Sequence, residues 1–179
     1  MKKIISIILS ASMLFLVAFP ISLSEIESNL VQTIHVDDDN TEGPWDGTQL
    51  HPYQYVQDGI DNASAGNTVY VHEGYYHEIN LTCNISLSLI GENRDGTMID
   101  GLHPTLNSSE FSINTPQLTL ANFTFTNYSV FITDVLIDGP SEPGGNIIIQ
   151  NNFFKNPLIG VMITFFSSNP DIEIKHNIF

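Results

Sequence analysis

The chain has 179 residues, five of them basic and 20 acidic, for a formal net charge of −15. A surface of that sign repels nucleic acid and anionic membranes, and also acidic polysaccharides unless a divalent cation bridges them. The single cysteine, Cys83, excludes an intrachain disulfide, so stability must come from packing, backbone hydrogen bonds or bound ions.

At the start, Lys2 and Lys3 precede an apolar run from Ile4 to Phe19, Pro20 ends it, and Ser22-Leu23-Ser24 offers a small-x-small cleavage site. This is the layout of a secretory signal peptide over residues 1–24. It implies a secreted or cell-surface protein with no membrane association once the signal is removed. The mature chain would then keep Arg94, Lys155 and Lys175 against all 20 acidic residues, a net charge of −17. Such acidity suits a protein that stays soluble outside the cell.

Residues 25–32 read as a linker, and Thr33–Val36 as a first strand. An acidic, turn-rich loop comes next, with Asp37, Asp38, Asp39, Asn40 and Asp46 placed around Gly43 and Gly47. In Pro52–Ala63, the residues Val56, Ile60 and Ala63 recur at helical spacing, and Pro52 suits a first helical turn. Gly66 ends that helix. Beyond it the pattern is one of short strands between Gly, Asn and Asp: Val69–Val71, Ile79–Leu81, Ile85–Leu89 and Met98–Ile99.

Four apolar-x-apolar triplets then recur. They are Leu87-Ser88-Leu89, Leu118-Thr119-Leu120, Ile147-Ile148-Ile149 and Ile172-Glu173-Ile174, at offsets of 31, 29 and 25 residues. The last three also share the segment after the triplet: two or three polar residues including Asn, then Phe125, Phe154 or Phe179. A strand with alternating apolar residues has one face to bury and is too short to bury it alone. A repeat of this length holds about three such strands, and winding them stacks equivalent strands about 4.8 Å apart. Asn122 aligns with Asn151, Asn127 with Asn156 and Asn152 with Asn177. Asn tolerates the left-handed backbone of sharp corners. The fold expected is therefore all-β, a parallel β-helix of three-strand coils, about four of them, with a short N-terminal α-helix. In this reading residues 33–68 carry the first strand, acidic loop and helix, and residues 69–179 form the β-helix.

Several elements taken together resemble the start of right-handed parallel β-helix surface proteins of the pectin-lyase-like superfamily. They are Val36-Asp37-Asp38-Asp39-Asn40, Gln57–Ala63, Gly66–Val71, Gly74-Tyr75-Tyr76 and Leu89-Ile90-Gly91-Glu92. Residues 118–179 resemble generic repeats of that fold, which indicate architecture and not activity. The resemblance implies that the 52–63 helix caps the N-terminal end of the solenoid, since a first coil otherwise exposes an apolar end and unpaired strand edges. No matching C-terminal cap is visible, so truncation of a longer protein is expected.

Chemistry is weakly signalled. Polysaccharide lyases of this superfamily cluster basic residues, and only Arg94, Lys155 and Lys175 remain after residue 24. Its inverting glycosidases place several carboxylates on adjacent coils, whereas the central strands here carry almost none. No catalytic residue and no certain cofactor is assigned. Whether the chain is an enzyme stays open, with a non-enzymatic role favoured. The histidines His35, His51, His72, His77, His103 and His176 offer one close pair, His72 and His77, split by the Gly74 turn. They read as solvated or core-edge side chains.

Asp37, Asp38, Asp39, Asn40 and Asp46 are the candidate metal ligands, because Ca²⁺ takes six to eight hard oxygens. Their spacing does not match an EF-hand, and capping of turn backbone is the competing explanation. Glycosylation sequons occur at Asn62, Asn80, Asn84, Asn107, Asn122 and Asn127. The aromatics Trp45, Tyr53, Tyr55, Tyr75 and Tyr76 are available to stack on sugars, although core packing or capping accounts for most of them equally well. The function expected is a secreted or cell-surface scaffold for adhesion, envelope structure or glycan binding, with glycans or other surface proteins as partners. The alternative is a carbohydrate-active enzyme, a lyase or glycoside hydrolase, whose catalytic coils lie beyond Phe179.

Overall fold

A computed structural model describes residues 31–101, 109–115, 117–132, 145–155, 160–163 and 171–179. All of them fall in the compact unit Val31–Phe179. The expected signal peptide, most of the linker, Asn107, His103 and Asn156 lie outside the described residues.

The described strands are β1 (Thr33–Val36), β2 (Thr68–Val71), β3 (Gly74–His77), β4 (Leu81–Cys83), β5 (Leu87–Gly91), β6 (Thr97–Asp100) and β7 (Ser109–Ile113). They continue as β8 (Leu118–Ala121), β9 (Thr124–Thr126), β10 (Tyr128–Ile132), β11 (Asn146–Gln150), β12 (Phe153–Lys155), β13 (Val161–Ile163) and β14 (Asp171–Lys175). One helix, α1 (Val56–Asp61), lies between β1 and β2.

These strands form three sheets, ordered β1-β2-β5-β8-β11-β14, β3-β6-β9-β12 and β4-β7-β10-β13. Every pairing within them is parallel. From β2 onward the chain visits the first, second and third sheet in turn and then returns to the first. This all-β arrangement of three parallel sheets is consistent with a parallel β-helix.

The four apolar triplets lie in register. Leu87 pairs with Leu118, Leu118 with Ile147, and Ile147 with Ile172. Their inward residues Leu89, Leu120 and Ile149 are fully buried. On the second sheet Tyr76, Ile99, Phe125 and Phe154 make the corresponding inward column. Phe125, Phe154 and Phe179 stack nearly parallel, with centroids 5.4 and 5.2 Å apart. The third sheet contributes Leu81, Phe111 and Val130 to the same core. Each fully buried Leu or Phe stabilises the fold by about 1.5–3 kcal/mol. Cys83 sits in this core, where burial pushes its thiol up to about 11, so it behaves as a small hydrophobe.

After β8 and β11 the corner from the first sheet to the second is made by asparagine. Asn122 and Asn151 have φ of 67° and 54°, and His176 takes the same role at 56°. Asn151 Nδ2 donates to Asn122 Oδ1 at 2.8 Å, linking one corner to the next. One residue later, buried Asn152 bridges neighbouring turns. Its Oδ1 accepts the Phe123 N–H at 3.0 Å and its Nδ2 donates to the Leu120 carbonyl at 3.0 Å. Asn177 repeats the pattern, accepting the Asn152 N–H at 2.9 Å and donating to the Ile149 carbonyl at 2.8 Å.

Two sequence expectations need correction. The helix is shorter than residues 52–63, because Pro52–Tyr55 is extended: the Tyr53 N–H donates to the His35 carbonyl at 2.9 Å, and Tyr53 bridges Val36. The strand expected at Ile79–Leu81 begins only at Leu81. Asn80 turns the corner at φ 57° and leaves Ile79 exposed, while Gly74–His77 forms the strand missed.

Truncating Asn152 to Ala leaves the Phe123 N–H inside the stack without its partner and removes one donor to the Leu120 carbonyl. The expected cost is about 1–3 kcal/mol per orphaned group, read as a loss in urea-unfolding stability. Thr119→Ala, on the outward face of the same sheet, should stay within about 0.5 kcal/mol of the parent.

Candidate glycan-binding groove and a histidine cluster

Among the described residues the first strand of each sheet has a strand neighbour on one side only, so the other edge needs a separate partner. On β1, the Gly47 carbonyl accepts the His35 N–H at 2.8 Å and the Tyr53 carbonyl accepts the Asp37 N–H at 2.8 Å. On β4, the Gln57 side chain acts as a short surrogate strand. Its Oε1 accepts the Thr82 N–H at 2.9 Å and its Nε2 donates to the Thr82 carbonyl at 3.1 Å. On β3, Asp38 Oδ2 accepts the Tyr75 N–H at 3.0 Å. The Asp38 carboxylate lies so close over Gly74 that a Cβ there would sit 2.0 Å from Oδ1. Glycine at 74 is what admits it.

Glu78 ties α1 down. Its carboxylate oxygens accept the Val56 and Gln57 N–H groups at 2.6 and 3.0 Å, satisfying donors that the first helical turn leaves free. Burial nevertheless holds its carboxyl above the usual carboxylate range. Gly59 lets α1 approach closely, since a Cβ there would meet Val36 Cγ2 at 2.6 Å.

These anchors shape a groove of about 320 Å³ lined by Asp38, Gln54, Tyr55, Tyr75, Tyr76 and His77. Tyr55 and Tyr75 are 50% and 53% exposed, so half of each amphipathic side chain faces solvent. Tyr75 is held by its hydroxyl, which donates to Asp100 Oδ2 in a short hydrogen bond and is thereby pushed above its usual pKa. Asp100 Oδ1 accepts the Asn127 amide at 2.9 Å. Along the second sheet Tyr75, Met98, Thr124 and Phe153 are in register, and so are His77, Asp100, Thr126 and Lys155, with Thr124 and Asp100 buried.

A separate cluster lies on the outward face of the first sheet. His35 Nδ1 is 3.1 Å from His72 Nε2, and His72 Nδ1 is 3.3 Å from Glu92 Oε2. Tyr70 packs edge-on against both imidazoles at 5.7 and 5.1 Å. Burial, then the neighbouring His72, lowers the His35 pKa. Hydrogen bonding from the Glu73 backbone lowers that of Glu92. The sequence reading leaves the histidines solvated or at the core edge, whereas the structure sets His72, just after β2, beside His35 of β1. The signal that could have found this is the match of Thr33-Ile34-His35-Val36 to Thr68-Val69-Tyr70-Val71, an offset of 35 residues.

The candidate calcium ligands do not share one task. Asp37 Oδ1 accepts the Asp39 N–H at 3.0 Å, and Asp38 reaches β3. The Asn40 amide donates to the Pro44 and Pro52 carbonyls at 3.2 and 2.7 Å. Asp46 bonds Thr48 and lies 3.3 Å from His51, and hydrogen bonding from Thr48 lowers its pKa. Among the described residues no group of three or more His, Cys, Asp or Glu is placed to hold a metal ion.

Of the sequons, Asn62 donates to the Asp58 carbonyl, Asn84 accepts from Asn114, and Asn80 is exposed. Asn122 and Asn127 are corner residues with bonded side chains. Trp45 is 49% exposed and donates from its indole to the Asn40 carbonyl at 2.8 Å, Tyr53 joins the β1 edge, and Tyr76 is buried. Among the described residues no helix is long and apolar enough to cross a membrane. Comparison with protein-family models, with curated proteins and with solved structures finds no match to this chain.

Glu78 supports a pH test. Its raised pKa means that the folded state holds the proton after the unfolded state has lost it, so its contribution to stability falls as pH rises from about 4.5 through the folded value. The melting midpoint of the parent relative to Glu78→Gln should therefore be highest near pH 4 and decline toward pH 7. A difference that stays constant over that range contradicts the assignment.

Proposed function

We propose that the chain is a right-handed parallel β-helix of the pectin-lyase-like superfamily, with about four three-strand coils and α1 as its N-terminal cap. It works outside the cell as a non-enzymatic scaffold that binds glycans. Support for the handedness is the strong general preference of parallel crossovers for the right-handed sense. Support for the cap is the way α1, Gln57, Asp38 and Glu78 take up backbone groups of the first strands. The superfamily reading rests on the residue patterns of the first hundred positions.

The observation that carries the binding role is the groove with two half-exposed tyrosine rings beside a carboxylate, an amide and an imidazole. Sugars present apolar C–H faces and a rim of hydroxyls. Aromatic rings cover the faces, while groups such as Asp38, Gln54 and His77 reach the rim. Asp38 and Asp100 each already bond a structural partner, which suits recognition better than proton transfer. The acidic surface favours neutral glycans over uronates.

A glycan array probed with the full chain tests this. Neutral oligosaccharides should be retained without cleavage, and Tyr55→Ala and Tyr75→Ala should each weaken binding about tenfold or more, since an aromatic contact worth about 1.5–3 kcal/mol is lost. Absence of glycan binding, or binding indifferent to both substitutions, overturns the role. Release of shortened sugars overturns the non-enzymatic part.

A further inference from the structure

We infer that His35 and His72 form a two-imidazole site for a borderline divalent transition-metal ion such as Zn²⁺, and that the bound ion cross-links β1 to the residue just after β2. The site is distinct from the tyrosine groove and does not depend on the glycan reading.

The two ring nitrogens, His35 Nδ1 and His72 Nε2, stand 3.1 Å apart. Two imidazoles bound to one tetrahedral zinc ion at about 2.0–2.1 Å place their nitrogens about 3.3 Å from each other. A shift of a few tenths of an ångström therefore converts the present contact into a shared ion. The backbone holds both residues for this. His35 lies within the β1–β2 register, and the His72 N–H donates to the Val36 carbonyl at 2.9 Å. The rings stack with centroids 5.3 Å apart and 22° between planes, and the Tyr70 ring buttresses both.

Glu92 supplies the orienting partner that metal-bound imidazoles commonly have. Its Oε2 lies 3.3 Å from His72 Nδ1 and is itself fixed by the Glu73 N–H at 3.0 Å. A carboxylate can only accept, so His72 carries its proton on Nδ1 and turns the Nε2 lone pair toward His35. When the ion binds, His35 keeps its ring proton on Nε2 and offers Nδ1. Water completes the coordination, since no third His, Cys, Asp or Glu among the described residues joins the pair. Imidazole ligands select Zn²⁺, Ni²⁺ or Cu²⁺ over the hard ions Ca²⁺ and Mg²⁺. The surrounding negative charge raises the local concentration of any divalent cation. A chain whose one cysteine is buried and free has no covalent cross-link, and an ion bridging β1 to β2 would serve as one at the end of the stack.

The test titrates Zn²⁺ into the full chain, prepared without a polyhistidine tag, and tracks imidazole NMR signals and the melting midpoint. His35 and His72 signals should move together and saturate at one equivalent, ahead of His51 and His77. A Zn²⁺ concentration about tenfold above Kd should raise the midpoint by about 3–6 °C, and the same concentration of Ca²⁺ should not. Glu92→Gln should weaken Zn²⁺ binding about tenfold or more. His35→Gln and His72→Gln should each abolish one-equivalent binding while the metal-free circular dichroism spectrum stays that of the parent. If either Gln variant is misfolded, the parent's histidine signals decide alone. No saturable Zn²⁺ uptake at those two rings, or uptake unchanged in both variants, overturns the site.

Discussion

A parallel stack exposes backbone donors and acceptors at its ends, and the rest of this molecule depends on how the first strands meet that constraint. Inside the stack each strand bonds to the strand above and the strand below. At the start no further strand lies below among the described residues, and an unpaired N–H or C=O is costly to bury and an invitation to aggregation if left open. The chain answers sheet by sheet, with loop carbonyls for β1, the Asp38 carboxylate for β3 and the Gln57 amide for β4. Asp38 of the acidic loop and Gln57 of the helix thus bond first-strand backbone, and the tyrosine groove lies beside β3.

The core was legible because its period was. Leu87, Leu118, Ile147 and Ile172 repeat with their flanking residues, and a repeat that cannot bury its own apolar face must stack on its neighbours. The asparagine corners were legible for a related reason, since few residues other than Gly accept a positive φ, and Asn122 and Asn151 recur in the same frame. Buried Asn152 and Asn177 were visible as an aligned pair, though not as bridges to the backbone of the preceding turn.

The features hidden from the sequence are equally specific. Gly74–His77 has one inward side chain, Tyr76, between two outward ones, so no apolar alternation marks it as a strand. The β1–β2 register is interrupted by the acidic loop and α1, which pushes His35 37 residues from the imidazole it touches. The closest spacing along the chain is His72 with His77, a pair split by a turn, and it gives no sign of the contact with His35. The acidic loop read as a cation site because its composition supplies oxygen. What composition does not report is direction, and Asp37, Asp38 and Asp46 each accept from a different backbone donor. Helical spacing at Val56, Ile60 and Ala63 extends the expected helix back over Pro52–Tyr55, which is drawn out to pair with β1.

The parallel in-register stack is most directly tested by pairing cysteines on its outward face. Ser88 and Thr119 are register partners on adjacent strands, and Ile148 is the next one along. Parallel neighbours at about 4.8 Å lie within disulfide reach, whereas positions two strands apart, at roughly 9–10 Å, do not. The variant Ser88→Cys/Thr119→Cys should oxidise readily to an intramolecular disulfide, and Ser88→Cys/Ile148→Cys should stay reduced under the same conditions. The opposite pattern, or no bond in the first pair, would contradict the stacked register on which the fold and both proposed sites rest.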